Sequence, residues 1–554
     1  MCQAVGTFGH VSFHSVLPEG FEPPTTASKA GMISISPREH APSSYGREGE
    51  SQRRWWNSGR IRRMKGTLGA IPKEVSQVTS TLAKEGFEAY AVGGCIRDLL
   101  IGRRPNDWDV TTNATPEDIQ RVFEHTYYTN EFGTVGVVFD GAADETLKVI
   151  EVTPYRVEGK YSDARRPDSV IFSEKLEDDL KRRDFTINAI AYSPETDAVV
   201  DLYDGRGDLK KGLLRAVGEP GERFAEDALR ILRAVRIAAE LGFAIEERTS
   251  RAMQQNAGQL AKISKERIRD ELIRILNSSK PMDALVLCQQ LGILKYVVPD
   301  LERGIGVEQN QAHSFDVWGH NLRTLQHAAD KGWSFDLRLA GLFHDISKPE
   351  TRRRSEEKKD WTFYGHDVVG ARTTRKALTE LRFPKETIDK VSSLVRWHMF
   401  FSDPEKVTLS AVRRIIRNVG QENIWDLMSL RVCDRIGTGR PKEQPFRFRK
   451  YQSMIEEALR DPISVGMLKV DGAKIMELLG EKPGPRVGYI LHALLEEVLD
   501  DPKKNTLEYL EGRVGELAKL PEGELKKLGE EGKERKEEAD AEVVEGLRKK
   551  YHVS

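Results

Sequence analysis

The hydrophobic period of the chain changes once, and that change limits the folds open to it. Between about residues 88 and 154, short runs such as EAYAV, TVGVVF and LKVIEV alternate apolar and polar residues, which is the pattern of strands covered on one face. After about residue 216 the strand signal ends. EDALRILRAVRIAAELGF and SKERIRDELIRILN repeat their apolar residues at three- and four-residue steps, the stripe of amphipathic helices. A multidomain α/β plus all-α protein is therefore expected, with an amphipathic helix carrying Val75, Val78 and Leu82 leading into the first strand. A length of 554 residues fits three to four domains of about 150 residues each. With 39% hydrophobic residues, the chain can build sizeable cores.

The flanks and the charge balance narrow the setting. Residues 1–63 are rich in Pro, Ser, Gly and Arg without sustained periodicity, so they are not expected to carry fold. Their string EGFEPPTTASK resembles spurious translation of a transfer-RNA gene at the front of an over-extended reading frame, with Met64 as the alternative start; a disordered basic arm is the competing reading. Lys and Arg total 86 against 87 Asp and Glu, so contact with a polyanion has to be local rather than a bulk effect. No run reaches the roughly 18 apolar residues of a membrane span, and no secretory apolar segment opens the chain. A cytoplasmic protein with no membrane partner is expected. Cys2, Cys95, Cys288 and Cys433 have no C-x-x-C spacing, which argues against a zinc ribbon or a disulfide framework.

The densest chemistry lies in AVGGCIRDLLIGRRPNDWDVTTNATPEDI. Gly93 and Gly94, between a strand and a helix, let backbone N–H groups approach a phosphate, although such a dipeptide is more often only a turn. Asp107 and Asp109 alternate, so on a strand both carboxylates face one side and can share Mg²⁺; a surface D-x-D is the plainer alternative. Glu151 in KVIEVT is a third candidate carboxylate, or equally a solvent-facing strand residue. Asp227 and Arg230, three apart, would share one helical face as an acceptor beside a forked donor, or form an ordinary ion pair.

The run GGCIRDLLIGRRPNDWDVTTNATP resembles the signature of the class II (bacterial-type) CCA tRNA nucleotidyltransferases and the related bacterial poly(A) polymerases. TPYRVEGKYSDARRPDSVIF, RRDFTINAIAYSP, the segment from DLYDGRGDLKK to AAELGF, and ISKERIRDEL follow in the family's order, over about residues 90–275. The resemblance implies a polymerase-β-like nucleotidyltransferase head, a helical neck, an HD domain and a helical tail. It implies that Asp107 and Asp109 hold the catalytic Mg²⁺, and that Gly93, Gly94 and Arg97 bind the triphosphate with Asp98 supporting the turn. Arg183, Asp184 and Asn188 would contact the sugar and phosphates. Asp227 and Arg230 would select CTP and then ATP without a template, and Arg233 and Arg236 would join them in binding the nucleotide. Arg165 and Arg166 match a segment associated with the switch from C to A addition.

A second constellation falls between residues 313 and 398, where His313, His320, His327, His344, His366 and His398 crowd together. LAGLFHDISKP places His344 beside Asp345, with His320 upstream and Asp434 downstream. This order resembles the HD phosphohydrolase superfamily, in which imidazoles and carboxylates hold Mg²⁺ or a transition metal such as Ni, Mn or Fe. His366 and His398 extend the pattern toward a second metal; His313 and His327 stay unassigned. The expected divisions are a 1–63 extension, a 64–215 head, a 216–280 neck, a 281–310 linker, a 311–440 HD domain, a 441–517 tRNA-binding helical region and a 518–554 charged tail. The activity expected is addition of CCA to tRNA from CTP and ATP, with HD phosphohydrolase activity beside it. The rivals are a poly(A) polymerase or A-adding enzyme, and a phosphohydrolase whose head only binds RNA.

Overall fold

The computed structural model describes residues 71–128, 133–159, 170–311, 313–400, 407–460 and 464–528. The readings placed on residues 1–63, Met64, Arg165, Arg166 and the chain beyond 528 lie outside these. The head is built on a seven-stranded sheet in the order β3-β4-β5-β2-β1-β8-β9. Its strands are β1 (Ala89–Val92), β2 (Asp109–Thr112), β3 (Thr126–Tyr128), β4 (Val135–Val138), β5 (Val149–Pro154), β8 (Ile190–Ser193) and β9 (Ala198–Asp201); β6 (Arg156–Glu158) and β7 (Val170–Phe172) form a separate ribbon. Only β2 and β5 run parallel within the large sheet. Helix α1 (Lys73–Lys84) buries Val75, Val78 and Leu82 completely, and they pack with Ala91, Val110, Ile150 and Val152 in one apolar cluster. The alternation in the sequence thus becomes a covered sheet face.

Beyond the head the structure is mainly helical, with two exceptions to the expectation that strands end near 216. Leu213–Leu214 pairs in parallel with Ala244–Ile245, and Arg353–Ser355 forms a hairpin with Asp360–Thr362. Segments of two or three residues are too short to display an alternating pattern. Helices α2 (Pro220–Glu226), α3 (Leu229–Leu241) and α4 (Lys265–Asn277) follow the head. The histidine-bearing segment is carried by α5 (Val317–Asp330), α6 (Phe335–Phe343), α7 (His366–Glu380), α8 (Lys385–Trp397) and α9 (Ile424–Gly437).

Local chemistry sets the starts of two of these helices. The Asp316 side chain accepts from Gly319 N–H at 2.7 Å ahead of α5, and Ser334 accepts from Leu337 N–H ahead of α6, each satisfying a donor that the helix itself cannot pair. Gly437 lets α9 lie against α5: a Cβ there would fall 2.3 Å from Thr324 Oγ1 and 3.1 Å from the His320 carbonyl oxygen. One apolar cluster runs from Phe185 to Leu525, joining neck, HD helices and the C-terminal helices. Leu525 is fully buried in it, so the segment expected as a solvated tail from 518 contributes an anchor before the described residues end. Among the described residues, no helix is long and apolar enough to cross a membrane.

Two candidate functional sites

In the head, β1 delivers the chain to Gly93, which adopts φ +89°, a conformation that favours glycine. A Cβ on Gly93 would lie 3.0 Å from Arg183 Nη1 and 3.3 Å from Asp109 Oδ2; one on Gly94 would lie 3.7 Å from Arg97 Nη2 and 3.9 Å from Asp107 Oδ1. Two glycines, two carboxylates and two guanidiniums thus converge on one turn. Contrary to expectation, the two carboxylates do not share one strand face. Asp109 is the first residue of β2, whereas Asp107 lies in the bend before it, because the strand begins only where pairing with β1 and β5 begins. Trp108 between them is buried in the head core. Glu151 pairs with Asp109 across the β2–β5 register and faces solvent.

The electrostatics mark this turn as short of positive charge. Burial, then the neighbouring Asp107 and Glu151, push the Asp109 carboxyl up to about 7 against the opposing pull of Arg183 and Arg233. Glu151 is also raised, by desolvation and then by Asp107. Carboxylates forced together in this way are relieved by a cation, so the donor set fits a divalent metal.

A chain of hydrogen bonds ties the turn to the neck. Arg97 donates to Asp98 Oδ1 at 2.9 Å and to Asn188 Oδ1 at 2.9 Å. Asn188 Nδ2 donates to Asp184 Oδ1 at 3.0 Å, and the other Asp184 oxygen receives Arg233 Nε and Nη2 at 2.9 and 2.7 Å. Phe185 N–H adds a further bond to Asp184 at 2.8 Å. Burial would raise the Asp184 carboxyl, but Arg233 and Asn188 hold it well below the usual range. Arg183 gives Nε and Nη2 to Asp179 and keeps Nη1 toward Gly93. Arg236 bonds Glu271 on α4 at 2.6 Å and Glu240 at 3.2 Å.

Asp227 and Arg230 are not on one helix face. A helix ends at Glu226, and Asp227 is extended at φ −145° before α3 begins at Leu229. Its carboxylate accepts from Leu229 N–H at 3.0 Å and from Arg267 Nη2 at 2.6 Å. Short carboxylates compete for nearby backbone donors and so favour helix boundaries over interiors. Arg230 bonds Glu226 at 2.8 Å and the Arg182 carbonyl at 3.2 Å. The family resemblance singled out both residues but gave no sign of Arg267, which binds Asp227 from forty positions away.

The second site lies between the HD helices. His320 Nε2 is 2.9 Å from His344 Nε2, 3.2 Å from Asp345 Oδ2 and 3.3 Å from Asp434 Oδ1. On the other oxygen of Asp345, His366 Nε2 lies at 3.3 Å and His398 Nε2 at 3.5 Å, the two rings being 3.2 Å apart at Nε2. Asp345 therefore bridges two half-sites. Nδ1 of His344, His366 and His398 each donates to a backbone carbonyl, of Gly341, Phe363 and Val395, which leaves each Nε2 as the inward lone pair. Facing lone pairs and buried carboxylates make a donor set that fits divalent metal ions, and buried His320 Nδ1 has no hydrogen-bond partner. Three groups in this cluster, His313–His320–Asp345, His320–His344–Asp434 and Asp345–His366–His398, can each hold a metal ion.

The surroundings include residues that the sequence did not single out. Lys348 Nζ lies 2.6 Å from both Asp345 Oδ2 and Gln309 Oε1 and 3.4 Å from His313 Nε2. Its signal was its place three residues after Asp345 in HDISK; Gln309 had none. Burial opposes protonation of His320, yet its bonds to Asp345 and Asp434 push it up to about 9, whereas burial and Lys348 push His313 down to about 3. His327 stands apart, 3.5 Å from Glu443.

The family described as "Poly A polymerase head domain" matches residues 89–215, "Probable RNA and SrmB- binding site of polymerase A" matches 242–305, and "HD domain" matches 317–437. A CC-adding tRNA nucleotidyltransferase of Thermus thermophilus is 34% identical over 77% of this chain and 91% of that protein. A CCA-adding enzyme of Geobacillus stearothermophilus is 32% identical over 79% of this chain and 95% of its own length. The crystal structure of the Bacillus stearothermophilus CCA-adding enzyme in complex with CTP superposes with a TM-score of 0.60 at 28% identity, covering 80% of this chain and 96% of that one. With the head turn, the histidine cluster and these relatives in agreement, the chain belongs to the family of bacterial CCA-adding tRNA nucleotidyltransferases and poly(A) polymerases that carry an HD domain.

Proposed function

We propose that the head adds C, C and A to tRNA 3′ ends from CTP and ATP, releasing pyrophosphate, without a nucleic-acid template and in the cytoplasm. The observation that carries the reading is the meeting of Asp107, Asp109, Arg97 and Arg183 at the Gly93–Gly94 turn. Asp107 and Asp109, with Glu151 beside them, would hold Mg²⁺, which when bound favours attack by the 3′-hydroxyl and neutralises charge on the departing pyrophosphate. The glycines leave room for the triphosphate, and Arg183 Nη1, turned toward Gly93, would meet it. Asn188, Asp184 and Arg233 fix the turn relative to the neck. Asp227, oriented by Arg267, and Arg230, oriented by Glu226, supply the acceptor and the forked donor that complement cytosine and, after a small rotation, adenine.

Incubating the protein with tRNAs ending before CCA, before CA and before A, with each nucleoside triphosphate singly, tests this. Addition of C to the first two and of A to the third is expected. Addition of A alone would favour the poly(A) polymerase or A-adding rival. Addition of C alone would give the activity named for the Thermus thermophilus relative.

The histidine cluster supports a second reading, a phosphohydrolase acting on phosphoesters. His320, His344, Asp345 and Asp434 would hold one metal and Asp345, His366 and His398 another, of the Ni, Mn or Fe type or Mg²⁺; when bound, such ions activate water against phosphorus. Metal analysis of purified protein and hydrolysis assays on His344→Ala and Asp345→Ala decide it, with loss of metal and of hydrolysis together expected.

A further inference from the structure

A cluster of arginines beside the histidine centre has no role in either reading. Arg431 and Arg435 flank Asp434 on α9, with Arg431 Nη1 2.5 Å from Asp434 Oδ2 and Arg435 Nε donating to the Lys442 carbonyl at 2.6 Å. The chain then folds back through Thr438 and Gly439, bringing the Arg440 N–H to 3.4 Å from the Arg435 carbonyl oxygen. Arg431 and Arg440 are near enough that their charges oppose that of Arg435. From α5, Arg323 stands one turn beyond His320 and stacks its guanidinium 3.8 Å over the Phe315 ring. A Cβ on Gly439 would lie 3.7 Å from that ring, so Arg323 and Arg440 border the same rim.

These charges are poorly compensated. Among the described residues, Arg323, Arg435 and Arg440 have no carboxylate within ion-pair distance. The acids close by are engaged: Asp434 with Arg431 and His320, Asp316 with the N–H groups of Gly306 and Gly319, and Glu443 with Lys331. Like charges held together in a partly desolvated rim repel, and guanidinium forks match phosphate oxygens. A single phosphate at the metal ligands already has a cation in Lys348, which contacts the same Asp345 oxygen as His320 and His344. The arginine rim is therefore suited to a further phosphate on the same strand, and Arg323 stacked on Phe315 offers a flat surface of the sort on which unpaired bases stack.

We propose that Arg323, Arg435 and Arg440, with Arg431 at their base, bind a backbone phosphate of single-stranded RNA whose 3′-terminal phosphate lies at the HD centre. The inference rests on the phosphohydrolase reading for its meaning, but its binding test does not. Anisotropy of a labelled four-nucleotide RNA ending in a 3′-phosphate, which cannot be extended by the head, is measured with metal-free full-length protein across a range of salt. Arg440→Ala should weaken binding and lower the slope of log K against log salt by about 0.7, and Arg323→Ala combined with it by about twice that. Arg440→Lys should keep the slope, and CCA addition to tRNA should be unchanged in all three.

Equal affinity and slope in wild type and Arg440→Ala would overturn the proposal. So would displacement of the RNA by ATP or inorganic phosphate as readily as by unlabelled RNA, which would make the rim a free-nucleotide or anion site. A parallel rise in the KM for tRNA during CCA addition would assign the cluster to the head's substrate instead, also overturning it. Arginine-dependent binding without hydrolysis under any divalent metal would uphold the subsite and sink only the hydrolase reading.

Discussion

Replacing Arg233 with Met tests whether the buried pair with Asp184 fixes the head on the neck. The substitution keeps an unbranched apolar stem on α3 and removes both guanidinium bonds to Asp184 Oδ2, leaving that carboxylate only Asn188 and Phe185 N–H on its other oxygen. Stripping one partner from a buried ion pair costs about 3–5 kcal/mol. Arg233 keeps 36% side-chain exposure against 9% for Asp184, so water reaches the vacated side and a loss near the lower end, about 3 kcal/mol, is expected. Urea unfolding of wild type, Arg233→Met, Asp184→Asn and the double variant gives the coupling, expected at about 1–3 kcal/mol.

The pH profile gives a second handle on the same pair. Asp184 is held below its ordinary value in the folded protein, so its contribution is complete above the unfolded carboxylate value, about 3.9, and is lost as pH falls through the lower folded value. Arg233→Met takes away the main cause of that lowering, so the variant should lose less stability than wild type as pH falls below about 4, and the gap between the two should narrow there. A variant within about 0.5 kcal/mol of wild type, with an unmoved acid limb, would refute the reasoning.

Other perturbations separate the sites. Asp109→Asn should lower CCA addition by about 10²–10³-fold or more. It should also raise the melting temperature of metal-free protein at pH 8, because the folded carboxyl is pushed up to about 7 and its charged form opposes folding above that value. Gly93→Ala, forced to φ +89° against Arg183 and Asp109, should raise the KM for CTP while the fold survives, as checked by circular dichroism. Asp227→Ala should keep the fold, free Arg267 and relax discrimination of CTP and ATP against UTP and GTP in single-nucleotide extension; unchanged selectivity would count against base reading. In the HD centre, Asp345→Ala should abolish metal uptake in both half-sites and His398→Ala in one, read by elemental analysis. With metal removed, His320, raised to about 9, stabilises the fold fully below its unfolded value of about 6.5, and that contribution should fade as pH rises toward 9 in thermal melts.

How much of this was legible in the sequence depended on distance along the chain. The Gly93–Gly94 turn and the aspartates after it lie within a few turns of one another, so local pattern located them, although the bend at Asp107 was set by where β2 finds its partners. The order of histidines and aspartates from His320 to Asp434 was likewise visible, because each sits on or directly after a helix with an apolar stripe. The role of Asp345 as the shared bridge was not, since it depends on which way two helix pairs lean. Pairing choices were hidden throughout: Asp227 with Arg267, Asp184 with Arg233 and Lys348 with Gln309 join residues whose spacing carries no period. The apolar stripes announced helices but not which stripe would cover which, so the single cluster from Phe185 to Leu525 appeared only in three dimensions.

That cluster has a consequence for synthesis. Phe185 and Ile187 belong to it, yet they precede β8, a strand of the head sheet. A nascent chain that has just released the whole head from the ribosome has its sheet residues available but still shows these two side chains to solvent. They stay uncovered until α3 and its neighbours have been translated, so the completed head presents a sticky seam during the interval when N-terminal units ordinarily finish folding. A pause in translation just as the head has emerged should therefore recruit chaperones or favour aggregation more than a pause once α3 and α4 have emerged as well.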